Sequence, residues 1–147
     1  MRILVTGGLG IVGKGLTELL RKCGHYVVCC DLYHQPDEIG FSVGTDIKVP
    51  LYARCDIGKF QQIERVFDRT GPFDFVYNCA AEFGRWNGED FYETLWQTNV
   101  IGTKNLIRLQ ERLGFHLIHF SSSEVYGDWP ELMTETEIGR ASCRERV

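Results

Sequence analysis

The sequence contains no apolar run that approaches the roughly 20 residues needed for a membrane-spanning helix. It also shows no N-terminal signal peptide, because Met1 and Arg2 lead directly into a short apolar run. An excess of basic residues is missing too, since 16 lysines and arginines face 20 acidic residues and the net charge is −4. We therefore expect neither a membrane span, nor a secreted protein, nor a nucleic-acid-binding surface.

The six cysteines form no Cys-x-x-Cys pair and have no metal-ligand spacing with the four histidines. Several of them fall in apolar runs, where cysteine behaves as a small hydrophobic residue. We therefore expect no metal site, and we expect the reducing cytoplasm as the compartment.

The most informative stretch is the glycine-rich turn at residues 6–13, which follows the apolar run 3–5 and opens a helical pattern. Gly7 permits a tight turn, Gly10 lets the backbone approach a pyrophosphate, and Gly13 lets the helix lie close to the strand. The helix N-terminus would direct N–H groups and partial positive charge at the anion. The turn therefore predicts a dinucleotide site, and the alternative is a merely structural turn.

A second apolar run, residues 26–30, ends at Asp31. A carboxylate at the end of this strand can bind the ribose hydroxyls of a dinucleotide, and it repels a 2′-phosphate. Asp31 therefore favours NAD over NADP as the cofactor.

Strand-like apolar runs alternate with helical patterns along the chain. Strands are predicted over about 2–6, 26–31, 51–55, 73–79 and 116–120, and helices over about 11–23, 59–67 and 90–113, the last bent near Gly102. The apolar positions of the first helix are Val12, Leu16, Leu19, Leu20 and Cys23. Residues 32–50 have no clear period and are predicted to form a long loop. The fold class is therefore α/β, a Rossmann-type doubly wound parallel sheet that stops after about the fifth strand.

Ligands of such sheets bind beyond the carboxyl ends of the strands, which all lie at one edge. Small or polar residues fall at these strand ends, namely Asp31, Asp56, Ala80, Ala81 and Ser122. Their convergence predicts a single site at this edge of the sheet.

Six sequence pieces, in this order, resemble the extended short-chain dehydrogenase/reductase family. They are Thr-Gly-x-x-Gly-x-x-Gly at 6–13, Asp31, Asp56-Ile57, Ala80-Ala81, Asn-Val-x-Gly-Thr at 99–103 and Ser-Ser-x-Glu-Val-Tyr-Gly at 121–127. More narrowly, the chain is similar to the NAD-dependent sugar-nucleotide epimerases and dehydratases. The resemblance covers essentially all of residues 1–136.

The resemblance implies a cofactor role for residues along the whole site. The pyrophosphate and ribose would contact Gly7, Gly10, Ile11, Val12 and Gly13. Asp31 would bind the adenine-ribose hydroxyls, and Asp56 and Ile57 would border the adenine. Ala80 and Ala81 would allow a close approach on the nicotinamide side, and Asn99 would hold a helix bend and bound water.

The resemblance also implies two catalytic residues. Ser122 matches the residue that hydrogen-bonds the reacting hydroxyl of the substrate, and Glu124 matches a glutamate of the dehydratase and decarboxylase branches. The family's Tyr-x-x-x-Lys pair does not occur in residues 127–147, and Tyr126 does not belong to it. The implied function is an NAD-dependent epimerase or dehydratase of a nucleotide sugar in a full-length parent, which could be a homodimer, whereas the 147-residue chain would bind NAD without turnover.

Residues 137–147 match the peptide that a short-read sequencing adapter encodes in one reading frame. We therefore expect residues 1–136 to be an incomplete dinucleotide-binding domain and residues 137–147 to be an artefact. The alternative is a genuine basic tail.

Other interpretations stay open at this point. The protein could be a non-catalytic dinucleotide binder or redox sensor, whereas an NADPH-dependent reductase is disfavoured by Asp31. Asp56 could be a turn or capping residue, Asn99 a buried amide at a helix break, and Glu124 a solvated carboxylate. Two interpretations also stay open for Phe83, Arg85 and Trp86, which would either line a substrate pocket or form a surface loop. The same holds for His116 and His119, which would be either packing or surface residues or catalytic residues.

Overall fold

The computed structural model of the chain describes residues 1–33, 51–83 and 92–122. The strands are β1 (Arg2–Thr6), β2 (Tyr26–Asp31), β3 (Tyr52–Arg54), β4 (Phe75–Asn78) and β5 (His116–His119). The helices are α1 (Ile11–Lys22), α2 (Phe60–Thr70), α3 (Tyr92–Leu95), a π-helical segment (Trp96–Gly102) and α4 (Thr103–Leu113). Within these ranges, no helix is long and apolar enough to cross a membrane.

All five strands belong to one parallel sheet with the order β3-β2-β1-β4-β5. The chain builds outward from β1 to β3, then crosses to the other side of β1 to form β4 and β5. The strand order therefore reverses between β1 and β4, which is where ligands bind in open α/β sheets. This topology confirms the predicted Rossmann-type sheet.

Helices cover both faces of the central strands. On one face, Leu4 and Val28 pack with Ile63 of α2 and Leu106 of α4 in a buried cluster. On the other face, a smaller cluster packs against α1; it contains Ile3, Val5, Val27, Cys29, Leu16 and Leu20. Burial on both sides explains why β1 and β2 are continuous apolar runs rather than alternating ones.

The buried stripe of α1 differs from the apolar positions of its sequence. Val12 and Leu19 are 55% and 59% exposed, and Cys23 is exposed as well. The stripe that faces the sheet instead consists of Gly13, Leu16, Thr17 and Leu20. These positions follow i, i+3, i+4 and i+7, and they are set by the contact of Gly13 with the glycine turn.

The remaining element predictions are largely confirmed. Helix α2 continues to Thr70, whose hydroxyl donates to the Val66 carbonyl oxygen at 2.6 Å, so this polar residue can be buried inside the last turn. The predicted bend of the 90–113 helix corresponds to the π-helical segment, which ends at Gly102. Gly114 has a φ of 75° and ends α4 by donating to the Gln110 carbonyl oxygen. Most of the predicted loop 32–50 lies outside the described residues.

Two glycines of α1 provide a test of this packing. A Cβ at Gly13 would lie 2.1 Å from the Gly7 carbonyl oxygen, whereas a Cβ at Gly15 would meet nothing within 4 Å. Gly13→Ala should therefore destabilise the chain by about 2 kcal/mol or more, because backbone must move. Gly15→Ala should stabilise it by roughly 0.5–1 kcal/mol through helix propensity. Urea unfolding of both variants checks the pair, and equal shifts in the same direction would contradict the close packing at Gly13.

Candidate functional site

The glycine turn brings the start of α1 against the ends of two strands. Gly7 adopts a φ of 66°, and its carbonyl oxygen accepts from the Gly10 N–H at 3.1 Å. A Cβ on Gly7 would lie 2.7 Å from the Ala80 nitrogen, so the turn touches the end of β4 directly. Side chains are thus excluded at Gly7 and Gly13 by backbone on both sides of the turn.

The N-terminus of α1 is left without an acidic or capping side chain. Gly10 is the N-cap, and the first turn of α1, all of it within the described residues, contains no acidic residue and receives no side-chain cap. The first N–H groups of a helix have no intrahelical acceptor, and they carry the positive end of the helix dipole. This end of α1 is therefore suited to an anion.

Asp31 is fixed at the end of β2 by two backbone donors. One carboxylate oxygen accepts from the Leu9 N–H at 2.9 Å, and the other accepts from the Leu32 N–H at 2.7 Å. Each oxygen of a carboxylate retains a further lone pair for another donor. The side chain is thus oriented by the glycine turn and can still accept hydrogen bonds in the cleft.

Asp56 forms a tight turn just after β3. Its carboxylate accepts from the Gly58 N–H at 2.8 Å, and its own N–H donates to the Gln62 side chain at 2.9 Å. The Asp56 carbonyl oxygen accepts from the Lys59 N–H at 3.0 Å. The prediction that Asp56 could be a turn residue is therefore confirmed, and this turn also lines the cleft.

The segment after β4 is held by an amide from the π-helical segment. The Asn99 side chain accepts from the Glu82 N–H at 2.8 Å and donates to the Glu82 carbonyl oxygen at 3.0 Å. This two-way contact resembles a strand pairing and fixes the chain just beyond Ala80 and Ala81. Asn99 therefore satisfies its amide at the helix bend, as one interpretation of the sequence expects.

A polar network that the sequence did not reveal connects the ends of β1, β4 and β5, and its Thr6 and Asn78 side chains are buried. The Thr6 hydroxyl donates to the side-chain carbonyl oxygen of Asn78 at 2.7 Å and accepts from the Ala80 N–H at 3.4 Å. The Asn78 amide nitrogen then donates to the Thr103 hydroxyl at 3.3 Å and lies 3.1 Å from His119 Nδ1. Asn78 within an otherwise apolar strand was the one signal that could have indicated it.

Together these elements form a cleft of about 260 Å³. Of the residues predicted for the site, those that line it are Gly7, Gly10, Asp31, Asp56, Ile57, Ala80 and Ala81. Leu9, Leu32, Tyr33 and Thr98 line it as well and were not predicted. The other predicted residues are next to this lining: Ile11, Val12 and Gly13 form the first turn of α1 directly after Gly10, and Asn99 follows Thr98 in the π-helical segment.

Of the two predicted catalytic residues, one lies within the described part of the chain. Ser122 is exposed beyond β5, and Glu124 lies outside the described residues. Phe83 is 61% exposed, and Arg85 and Trp86 lie outside the described ranges. His116 is exposed and stacks on Phe75 with a ring-centroid distance of 5.1 Å, consistent with a packing role.

Three buried or half-buried thiols at the ends of β2 and β4 have raised pKa values. Burial raises the pKa of Cys79 to about 11, and it also raises the pKa of Cys29. The adjacent Cys55 thiol and burial raise the pKa of Cys30 well above its usual value. In the described part of the chain, no group of three His, Cys, Asp or Glu side chains could hold a metal ion.

Comparison with known proteins gives one family. The sequence model described as the NAD dependent epimerase/dehydratase family matches residues 3–146. UDP-glucuronic acid decarboxylase 1 of Xenopus tropicalis is 34% identical over 149 residues, which cover 92% of this chain and 30% of that protein. The chain thus spans less than a third of this relative's length.

Solved structures give the same result. The UDP-glucose 4-epimerase of Thermus thermophilus, in complex with NAD, is 28% identical with a TM-score of 0.76, covering 96% of this chain and 45% of that one. The UDP-glucose-4-epimerase of Stenotrophomonas maltophila, with bound NAD and formylated UDP-arabinopyranose, is 26% identical with a TM-score of 0.79, covering 97% and 43%.

Alkylation of the cysteines tests the chemistry of the cleft wall. With a pKa of about 11, roughly one Cys79 side chain in a thousand is a thiolate at about pH 8. Labelling of Cys79 by iodoacetamide should therefore be slow, and it should rise about tenfold per pH unit while the fold persists. Peptide mapping should show the exposed Cys23 labelled first. Equal rates for Cys23 and Cys79 at about pH 8 would contradict the burial of Cys79.

Proposed function

Because the chain belongs to the NAD-dependent epimerase/dehydratase family, we propose that it binds NAD in the cleft at the carboxyl ends of β1, β2 and β4. We further propose that it is the first part of an enzyme that epimerises, dehydrates or decarboxylates a nucleotide sugar. The observation that carries the proposal is the uncapped N-terminus of α1 facing a cleft whose rim holds an oriented Asp31 carboxylate.

The pyrophosphate of NAD fits the glycine turn. Gly10 presents only backbone to the cleft, and the first turn of α1 places no acidic side chain that would repel an anion. The N–H groups of the first helical turn, from Ile11 to Gly13, supply donors and partial positive charge. Two phosphates can therefore approach the backbone directly, without a cationic side chain.

The adenosine ribose fits the end of β2. The Asp31 carboxylate is held by the Leu9 and Leu32 N–H groups and retains acceptor capacity for the 2′- and 3′-hydroxyls. A 2′-phosphate would bring a second negative charge next to this carboxylate. We therefore assign the site to NAD rather than NADP.

The adenine fits the turn at Asp56. One Asp56 carboxylate oxygen is used by the Gly58 N–H, and the other is available to the 6-amino group. Among the described residues, the Ile57 N–H has no protein acceptor, so it can donate to a ring nitrogen of the base. An acceptor beside a donor matches the amino-pyrimidine edge of adenine.

The nicotinamide side of the cofactor fits the end of β4. Ala80 and Ala81 place no bulk in the cleft, and Asn99 holds the adjoining Glu82 backbone in place. Thr98, from the same helix, completes this wall. These residues leave room for a planar ring close to the β4 backbone.

We assign the chemistry to Ser122 and Glu124. When bound, NAD supplies a hydride acceptor for a sugar carbon and later returns the hydride. Ser122 orients the reacting sugar hydroxyl, and Glu124 exchanges a proton at the neighbouring position or assists loss of water or carbon dioxide. In the full-length parent, the tyrosine that would accept the hydroxyl proton and the lysine that would lower its pKa lie beyond residue 136.

We also propose a parent chain, a cellular compartment and a partner for the protein. We take residues 137–147 to be an adapter-derived artefact and residues 1–136 to be part of a longer chain, since the decarboxylase of Xenopus tropicalis matches over only 30% of its own length. The five described cysteines are free thiols, which fits the reducing cytoplasm. The partner is a nucleotide sugar rather than a membrane or a nucleic acid, and the parent is proposed to be a homodimer.

Nucleotide binding by the chain tests the cofactor assignment. NAD should bind at least tenfold more tightly than NADP by titration calorimetry, because Asp31 repels the 2′-phosphate. Asp31→Ser should weaken NAD binding and remove this preference, whereas Asp68→Ser removes an exposed acid far from the cleft and should change neither. A wild-type preference for NADP would overturn the assignment, and binding of neither nucleotide would overturn the proposed function.

The catalytic role of Glu124 is tested in the complete gene product. Glu124→Gln should still oxidise the sugar, so that reduced cofactor and a keto-sugar accumulate, because the proton-transfer step that follows is lost. Absorbance of the reduced nicotinamide and mass analysis of the sugar check this result. Unaltered turnover would exclude the role of Glu124, and a wild-type protein that binds NAD without turnover would favour the non-catalytic alternative.

A further inference from the structure

The helical stretch that begins at Trp96 reaches back to the turn that follows β3. Gln97 Nε2 donates to the Gly58 carbonyl oxygen at 2.6 Å, and Asn105 Nδ2 donates to the Ile57 carbonyl oxygen at 2.8 Å. Both bonds span long sequence separations and attach the turn to the same helical stretch. The Ile57 and Gly58 carbonyl groups are therefore directed at the helix rather than at the cleft.

With these two bonds, nearly every backbone group of residues 56–58 has a partner. The Asp56 N–H and carbonyl, the Ile57 carbonyl, and the Gly58 N–H and carbonyl are each bonded within the protein. Within this turn, the Ile57 N–H is the one backbone group without a hydrogen-bond partner among the described residues. Asp56 and Ile57 both line the cleft.

Close packing makes the position of this turn sensitive to Gln97. A Cβ on Gly58 would lie 2.9 Å from both Cγ and Nε2 of Gln97, and a Cβ on Gly102 would lie 2.6 Å from the Ile57 side chain. The turn and the helix thus leave no room between them. Loss of the Gln97 amide would free the Gly58 carbonyl and release one side of the turn.

We propose that Gln97 is a positioning residue for base recognition: through Gly58 it holds the Asp56 carboxylate and the Ile57 N–H in register with the edge of adenine. This inference rests on the proposed NAD site, and it adds a residue that does not itself touch the cofactor. Asn105 supports the same turn from a buried position.

The π-helical segment contains a second residue, Asn99, that holds another part of the cleft. Gln97 and Asn99 are two residues apart, so their side chains leave the helix in nearly opposite directions. Gln97 contacts the turn on the adenine side, whereas Asn99 holds Glu82 on the nicotinamide side. One helical segment therefore sets both ends of the cleft.

A comparison of two dinucleotides with different bases separates a positioning role of Gln97 from a role in the general stability of the chain. NAD and nicotinamide hypoxanthine dinucleotide differ only at the base, where the hypoxanthine edge presents an acceptor to Asp56 and a donor to Ile57. The wild-type chain should prefer NAD. Gln97→Glu keeps the shape but removes the donor, and it should weaken NAD binding roughly tenfold with little change for the hypoxanthine analogue.

Three further variants complete the experiment. Gln97→Met, which removes the hydrogen bond without adding charge, should act like Gln97→Glu and serves if the glutamate prevents folding. Gln61→Ala removes the same amide from an exposed position on α2 and should change neither affinity. Asn105→Leu should also reduce base discrimination, although its burial makes a loss of stability certain to accompany it.

The outcomes distinguish the inference from the proposed function. Equal weakening of both dinucleotides by the Gln97 variants would show a general structural role and overturn the inference. A wild-type chain that binds both dinucleotides equally would also overturn it, while leaving NAD binding intact. Failure of the wild type to bind either dinucleotide would overturn the proposed site and the inference together.

Discussion

The backbone contact between the start of α1 and the turn after β1 is the constraint on which the site depends. A Cβ at Gly13 would lie 2.1 Å from the Gly7 carbonyl oxygen, and a Cβ at Gly7 would lie 2.7 Å from the Ala80 nitrogen just after β4, so a methyl group fits at neither glycine. This contact among α1, the turn and the end of β4 decides which face of α1 meets the sheet, where the N-terminus of α1 points and how closely β4 approaches the turn. Asp31 then attaches the same turn to β2 through the Leu9 N–H.

Much of the fold was predictable because its signals are local or periodic. Each of these signals is read from residues that are close in the sequence. Examples are the turn at 6–13, the apolar strands and the glycines that end helices. The convergence of Asp31, Asp56 and Ala80 was predictable for a different reason, since a parallel sheet places all carboxyl strand ends at one edge. The reversal of strand order between β1 and β4 then locates the cleft.

The contacts that the sequence did not reveal are polar and join distant parts of the chain. Gln97 and Asn105 meet the turn after β3, and Asn78 meets Thr6 and Thr103, without any periodic pattern to mark them. The error for α1 has a related cause. Hydrophobicity alone favours Val12 and Leu19, whereas the close approach of Gly13 rotates the helix so that Thr17 is buried instead.

The hydrogen bonds that connect the ends of β1, β4 and β5 have a consequence for the dielectric behaviour of this part of the sheet. The Thr6 hydroxyl, the Asn78 amide and the Thr103 hydroxyl each have their orientation set by a neighbour. Dipoles held in this way do not rotate freely when a charge near them changes. Under the proposed cofactor assignment, a ring that gains or loses charge at the end of β4 would lie near dipoles that are already ordered, so little reorganisation of these groups would follow.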